Sequence, residues 1–245
     1  MSSYMIFCVE KTFNKLCCAF QQILALFPYL YLWLWGGALL DERAIYIVII
    51  GWNTTSVHWD WELAAERRRL VQTFNKKDIV CDVFAGAGAL TLLSARKVWR
   101  VFANDPITDA LKYLARNTID NKLQAKVELY NLDCSMFVKT LANFKKPVLM
   151  TQIVFSLPTS PDTLSGALKG AFDRKIWPVH QPLPIVHVYG YSHMPSWGKN
   201  FSHLIVERLQ LKMETVELHV VKSLDSTREM ICASFRLPEQ VAFYD

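Results

Sequence analysis

Two glycines and two aspartates stand where they could hold a nucleoside. Gly86 and Gly88 end an apolar run, Asp105 follows about twenty residues later, and Asp133 ends a further run. Glycines let the backbone turn sharply and approach a ligand without a Cβ in the way. A carboxylate at Asp105 can accept both hydroxyls of a ribose, and one at Asp133 can accept the exocyclic amine of an adenine. The pattern predicts an adenosine site, with capping of the following helices as the alternative role of each aspartate.

The residues after Gly88 narrow the choice of cofactor. A dinucleotide fold usually shows G-x-G-x-x-G, and a phosphate-binding loop shows G-x-x-x-x-G-K followed by Ser or Thr. Here Gly88 is followed by ALTLLSARK, which completes neither pattern. A cofactor with adenosine but no phosphates is S-adenosylmethionine, and the phrases DVFAGAGAL and FANDP resemble the class I methyltransferase pattern.

Alternating strands and helices are predicted to position these residues. Apolar runs predict seven strands, over Asp78–Ala85, Trp99–Asn104, Lys126–Tyr130, Val148–Phe155, Pro184–Tyr191, Glu214–Val221 and Ile231–Leu237. Helices are predicted over Ala89–Lys97, Ile107–Asn117 and Asn200–Leu209. The alternation predicts an α/β fold of the Rossmann-like, class I methyltransferase type, with a mostly parallel seven-stranded sheet flanked by helices. Ligands of such sheets bind beyond the carboxyl ends of the strands.

Eight separated blocks resemble one family more narrowly. They are SVHWDWELAAERRRLV, VCDVFAGAGALTLLSARK, VFANDP, KYLARNTIDNKL, VELYNLDCSMFV, FSLPTS, PIVHVYGYS and HVVKSLDSTREMICASFRLP. In family order, over about residues 50–245, they resemble the archaeal/eukaryotic tRNA (guanine-37 N1)-methyltransferase family. The resemblance implies methyl transfer from S-adenosylmethionine to N1 of guanosine 37, next to the anticodon. The family's tRNA-gripping N-terminal domain and most of its linker domain have no counterpart in residues 1–49.

The resemblance assigns the general base to Glu66. The proton on guanine N1 has a pKa well above neutrality and must leave as the methyl group arrives, so a carboxylate near the cofactor could accept it. Arg67 matches a position that the family uses at the cofactor. The alternative for Glu66 is a solvated side chain at the start of a helix, beside Arg67–Arg69.

Three positions depart from the family pattern. His58 stands where a tyrosine is common, and Glu62 stands where the family has an arginine or a similar basic residue. A carboxylate at Glu62 reverses the charge at a site for a polyanion. Ser156 replaces the asparagine of the family's NLP motif, which keeps one donor and one acceptor but loses the amide geometry.

The full set of cofactor-binding residues implied by the resemblance is Arg67, Asp82, Gly86, Gly88, Asp105, Pro106, Asp133, Cys134 and Ser156. Pro106 and Cys134 stand where leucine and glycine are more usual, and both act mainly through their backbones, although proline removes one N–H donor. In the last hairpin the family's APNK turn is DSTR. Lys222 and Arg228 either contact phosphate there or are ordinary solvated charges.

The first 49 residues are predicted to be a separate apolar segment. The run Ile23–Leu40 contains no charged residue, and a membrane-spanning helix needs about 20 apolar residues. Lysines before the run and acidic residues after it would leave the N-terminus in the cytoplasm, whereas Pro28 and Gly36–Gly37 weaken a helix. Three interpretations stay open: a segment without function, a membrane anchor or uncleaved signal, and a targeting or packing segment.

Composition limits the class of protein and its partners. The hydrophobic fraction of 52% is too high for a disordered chain. A net charge of +5 permits a polyanionic partner without requiring one and excludes a strongly basic nucleic-acid tail. The six cysteines form no CxxC pair, so neither a zinc site nor a disulfide framework is indicated, and a reducing compartment fits best.

Three functional hypotheses follow. The first is a tRNA (guanine-N1)-methyltransferase that uses S-adenosylmethionine and no metal, binds tRNA, and acts as a monomer in the cytoplasm, the mitochondrial matrix or the nucleus. The second is a diverged cofactor-binding or scaffold relative that no longer transfers methyl groups. The third is a membrane-tethered methyltransferase with another substrate, motivated by Ile23–Leu40.

Overall fold

A seven-stranded sheet organises the molecule. The computed structural model describes residues 3–7, 48–52, 62–193 and 199–244. The strands of this sheet are β3 (Ile79–Asp82), β4 (Arg100–Asn104), β5 (Val127–Tyr130), β6 (Gln152–Pro158), β7 (Ile185–His193), β8 (Glu217–Ser223) and β9 (Arg228–Arg236). Their order is β5-β4-β3-β6-β7-β9-β8. Strands β3 to β7 run parallel, and β9 and β8 are added antiparallel. The predicted mostly parallel sheet is confirmed.

Helices cover both faces of the sheet. They are α1 (Ala64–Thr73), α2 (Ala89–Lys97), α3 (Thr108–Asp120), α4 (Cys134–Ala142), α5 (Pro161–Leu168), α6 (Lys199–Leu209) and the short α7 (Glu239–Ala242), with a 3-10 turn at Met213–Thr215. Helices α1, α2 and α3 contribute to one buried apolar cluster. Helices α4, α5, α6 and α7 contribute to the cluster on the other face.

The central strands are apolar because both of their faces are buried. In β6, the first four residues, Gln152–Phe155, are all buried. Exposure increases only at the carboxyl end of β6, where Ser156 and Leu157 reach the edge of the sheet. The sequence therefore changes from core residues to chemically active residues at the edge where ligands of such sheets bind.

The sequence predicts the elements of the sheet better than their ends. Helix α2 has the predicted bounds, while β3 ends three residues earlier than predicted. Strand β6 begins at Gln152 rather than Val148, because the N–H of Val148 donates to the carbonyl of Leu141 at the end of α4. Helices α4 and α5 were not predicted from the sequence.

A second, two-stranded sheet joins β1 (Ser3–Phe7) to β2 (Val48–Trp52) in antiparallel pairing. Strand β2 includes residues 49 and 50, where the sequence predicts the boundary between the apolar N-terminal segment and the methyltransferase domain. That division into two parts stays a prediction. Within the described ranges, no helix is both long and apolar enough to cross a membrane. The run Ile23–Leu40 lies outside those ranges.

Candidate active site

A tight glycine turn connects β3 to α2. Gly86 has φ +56° and Gly88 has φ +98°, in the left-handed region that side chains with a Cβ rarely adopt. A Cβ on Gly88 would lie 2.5 Å from Cδ1 of Leu114. The predicted role of these glycines in turning the backbone is thus confirmed, and the turn lies at the carboxyl edge of the sheet.

Asp105, directly after β4, holds this turn in place. Its buried carboxylate accepts hydrogen bonds from the N–H of Gly86 at 2.8 Å and from the N–H of Ile107 at 2.9 Å. Burial raises the pKa of Asp105, and the two backbone hydrogen bonds act against that rise. Each oxygen receives one of these bonds, which leaves each a second lone pair. The neighbouring Pro106 is exposed.

Asp133 caps helix α4, which is the alternative role that the sequence left open. Its Oδ1 accepts the N–H of Ser135 at 2.9 Å and the hydroxyl of Ser135 at 2.7 Å. These hydrogen bonds lower the pKa of Asp133. The side chain is exposed at the same sheet edge as Asp105, and the following Cys134 is buried. Adenine recognition by Asp133 stays a prediction.

Asn104 is a structural residue of this edge that sequence reasoning missed. Its Nδ2 donates to the carbonyls of Val83 and Leu132, and its Oδ1 accepts the N–H of Leu132. The buried amide therefore connects the segments that follow β3 and β5 to the end of β4. Its only sequence signal was an amide immediately before Asp105, which is too common to single out.

Asp82, at the end of β3, lies in a buried cluster of hydroxyl groups. Its Oδ2 accepts the hydroxyl of Thr91 at 2.7 Å, and its Oδ1 lies 2.8 Å from Oγ of Ser156. Burial raises the pKa of Asp82 to about 6, although these hydroxyls act to lower it. Oγ of Ser156 also lies 2.6 Å from the carbonyl oxygen of Phe84. One hydroxyl proton cannot serve both acceptors, so a protonated Asp82 satisfies both contacts.

Glu66 is buried, with 6% of its surface exposed, and its carboxylate is contacted by Arg69, Tyr189 and His219. Arg69 binds it with two hydrogen bonds, Nε to Oε2 at 2.6 Å and Nη2 to Oε1 at 2.7 Å. The hydroxyl of Tyr189 donates to Oε1 at 2.9 Å, and Nε2 of His219 lies 3.3 Å from Oε2. Glu66 is therefore not the solvated side chain that the sequence left as an alternative.

A small cavity joins Glu66 to the sheet edge. It is lined by Leu63, Glu66, Arg67, Leu90, Ser156 and Tyr189. Three residues predicted for the site, Glu66, Arg67 and Ser156, thus meet around one space. Tyr189 was not predicted, although the block PIVHVYGYS contains it.

Lys222 and Arg228, which the sequence leaves as phosphate contacts or as ordinary solvated charges, are each engaged in an ion pair. Nζ of Lys222 lies 2.7 Å from Oε2 of Glu62, and Nε of Arg228 lies 2.7 Å from Oδ2 of Asp225. Hydrogen bonds from Thr227 and Arg228 lower the pKa of Asp225. The predicted departure at His58 lies outside the described residues.

The sheet order and the glycine turn define the fold of class I methyltransferases. Trm5b from Pyrococcus abyssi shares it, with a TM-score of 0.58 and 20% identity over 82% of this chain and 62% of that chain. TYW2 from M. jannaschii, solved in complex with AdoMet, has a TM-score of 0.59 and 15% identity, covering 78% of this chain and 83% of that one.

The particular family is given by the sequence. Residues 48–169 match the TRM5/TYW2 methyltransferase domain, and the chain belongs to this family. The tRNA (guanine(37)-N(1))-methyltransferase 1 of Vitis vinifera is 36% identical over 191 residues, which is 78% of this chain and 31% of the relative. The chain spans about a third of the length of that curated relative.

Proposed function

We propose that this chain transfers a methyl group from S-adenosylmethionine to N1 of guanosine 37 in tRNA. The observation that carries the proposal is the buried Glu66 carboxylate, which lines a cavity with Arg67 and Ser156 beside the glycine turn. A carboxylate beside the cofactor site provides a base for the N1 proton. The family match and the name of the Vitis vinifera relative support guanosine 37 as the target.

The residues present fit an adenosine-containing cofactor. The turn at Gly86 and Gly88 brings bare backbone to the sheet edge, and both oxygens of Asp105 keep a lone pair for ribose hydroxyls. Asp133 is exposed at the same sheet edge. Pro106 follows Asp105 in the chain, and Cys134 follows Asp133, so each could contribute through its backbone. When bound, S-adenosylmethionine supplies an electrophilic methyl group. Asp82 and Ser156 stabilise this edge of the sheet, because the hydrogen bond between them connects β3 to β6.

Glu66 takes up the proton that leaves guanine N1. Arg69 and Tyr189 donate three hydrogen bonds to its carboxylate, and Nε2 of His219 lies beside Oε2, so one of these contacts must be exchanged when the base enters. Tyr189 and Arg69 orient the carboxylate. The resulting general base is positioned before substrate binding.

The same contacts favour a second candidate, a cofactor-binding relative that does not transfer methyl groups. Two hydrogen bonds from Arg69 occupy the carboxylate of Glu66, and Oγ of Ser156 faces Asp82 and Phe84. The third hypothesis, a membrane-tethered enzyme, depends on Ile23–Leu40 and stays a prediction.

Methyl transfer to unmodified tRNA tests the proposal. The full chain is incubated with labelled S-adenosylmethionine and transcripts that carry guanosine, inosine or adenosine at position 37. Label on guanosine transcripts but not on adenosine transcripts supports the proposal. Cofactor binding by calorimetry without transfer to any transcript would favour the second candidate.

Partners and compartment follow from this activity. We expect tRNA as the macromolecular partner, a monomeric enzyme without a metal, and a location in the cytoplasm, the mitochondrial matrix or the nucleus. Fractionation of the full chain and of a variant that lacks residues 1–45 tests membrane contact through residues 23–40. Recovery in the membrane fraction only when those residues are present would support the tethered form.

A further inference from the structure

Most groups around Glu66 cannot accept the proton that it would take from guanine N1. Arg69 is already protonated, and its hydrogen bond to Glu66 raises its pKa further. The hydroxyl of Tyr189 is buried, and burial raises its pKa well above the usual value. Cys232, paired with Tyr189 across β7 and β9, is also buried, which raises its pKa to about 11. None of these groups can carry a proton away near neutral pH.

His219 differs from these neighbours. It lies on β8 opposite Cys232, so its side chain is on the sheet face that Glu66 covers. Nε2 is 3.3 Å from Oε2 of Glu66, and 45% of the side chain is exposed to solvent. Among the described groups around Glu66, it alone combines contact with the carboxylate, access to water and an imidazole ring, whose two nitrogens can accept and donate protons.

The ion pair between Glu66 and Arg69 favours loss of the proton from Glu66. A protonated Glu66 would leave the half-buried guanidinium of Arg69 facing a neutral partner, which is unfavourable. Transfer of the proton to His219 restores the Glu66–Arg69 pair and adds an imidazolium beside the same carboxylate. The nearby pair of Lys222 and Glu62 contributes one charge of each sign.

We propose that His219 carries the proton from Glu66 to solvent. The inference rests on the proposed function, because it concerns the proton displaced from guanine N1. As N1 gains the methyl group, its bond to hydrogen breaks and the proton binds Glu66. The proton then passes from Oε2 to Nε2 of His219, and the ring releases its other proton, from Nδ1, to water. Proton exchange between the exposed ring and water moves the remaining proton from Nε2 back to Nδ1, so both residues return to their starting protonation states.

The experiment compares His219→Ala and His219→Gln with the control His203→Ala, which changes an exposed histidine of α6 on the other face of the sheet. We expect both His219 variants to lower single-turnover methyl transfer by roughly 10- to 100-fold, at or below the lower end of the effect of a direct acid–base group. Added imidazole should restore part of the rate of His219→Ala. The control should keep the wild-type rate.

His219→Gln separates a relay from a positioning role. Glutamine can still donate a hydrogen bond to Glu66 but cannot pass a proton on, so a wild-type rate in this variant would overturn the relay. The relay makes the rate depend on the protonation state of the imidazole, so the pH profile of single-turnover transfer should differ between the wild-type chain and both His219 variants.

A measurement without methyl transfer separates the relay from the proposed function. Imidazole resonances of His219 are recorded by NMR in the wild-type chain and in Glu66→Gln. Loss of the carboxylate should change the chemical shift of Nε2, because this nitrogen lies 3.3 Å from Oε2 of Glu66. An unchanged Nε2 shift would overturn the relay alone. A changed Nε2 shift, together with a wild-type chain that methylates no tRNA, would overturn the proposed function and, with it, the relay.

Discussion

Oε2 of Glu62 lies 2.7 Å from Nζ of Lys222, so the acidic residue just before α1 has its cation on β8. Both side chains reach the surface, with 51% of Glu62 and 22% of Lys222 exposed. Considered alone in the sequence, Glu62 reverses a charge at the proposed site for RNA. In the structure the two residues form an ion pair without net charge. The electrostatic potential at this place is therefore smaller than either charge alone would produce.

Removal of the Glu62 carboxylate should strengthen tRNA binding. Glu62→Gln removes the negative charge beside Lys222, and Glu62→Arg puts a cation in its place. The logarithm of the association constant should then fall more steeply with the logarithm of salt concentration, by about 0.7–0.9 per added phosphate contact. Filter binding over a salt series measures this slope. Lys222→Gln is the opposing control and should weaken binding, whereas equal affinity and slope in Glu62→Arg and wild type would place this pair away from RNA.

Glu66→Gln should separate catalysis from cofactor binding. The amide keeps the size of the carboxylate and an acceptor for Tyr189, but it cannot take a proton. Single-turnover methyl transfer should fall by roughly 100-fold or more, while calorimetric affinity for S-adenosylmethionine stays within about twofold of wild type. The matched control is Glu207→Gln, an exposed glutamate of α6, which should retain the full rate. Equal losses in binding and rate would make Glu66 a structural residue.

Asp105→Ala should weaken cofactor binding in two ways. It removes the acceptor that holds the N–H of Gly86 and the charged acceptor available to ribose hydroxyls. Hydrogen bonds to charged groups contribute about 1.5–3 kcal/mol each, so calorimetry should show a loss in affinity of at least roughly tenfold. Asp109→Ala, an exposed residue of α3, provides the control. Affinity within twofold of wild type would remove Asp105 from the site.

Asp82→Asn should change the pH dependence of stability. The pKa of Asp82 is raised from 3.8 to about 6 in the folded chain, so its contribution to stability is fully present below about pH 4 and is lost as pH rises through 6. The shift corresponds to at most about 3 kcal/mol. Asparagine can donate to Ser156 at every pH, so the free energy of unfolding of the variant, relative to wild type, should rise between pH 4 and pH 7. Chemical denaturation at both pH values measures this, and a constant difference would mean that Asp82 is ionised throughout.

The sequence predicts those parts of the site that depend on neighbouring residues. The turn at Gly86 and Gly88 and the aspartate after β4 follow from local pattern, because each residue acts within a few positions of its own strand. The environment of Glu66 does not. Its contact with Tyr189 joins residues 123 positions apart, and its contact with His219 depends on how the last two strands are added to the sheet. Such contacts arise from strand order and register, which the sequence pattern does not contain.

Strand β8 is irregular between Val220 and Lys222, where it shifts register against β9. Successive strand residues point to opposite faces, so two residues three positions apart would normally diverge. The extra residue, Val221, changes the phase of the repeat. His219 and Lys222 consequently pair with Cys232 and Met230, which share a face, and both reach the start of α1. A relative whose β8 lacks the extra residue must be aligned with a gap opposite Val221. Only then do His219 and Lys222 align with the residues that occupy the same places in space.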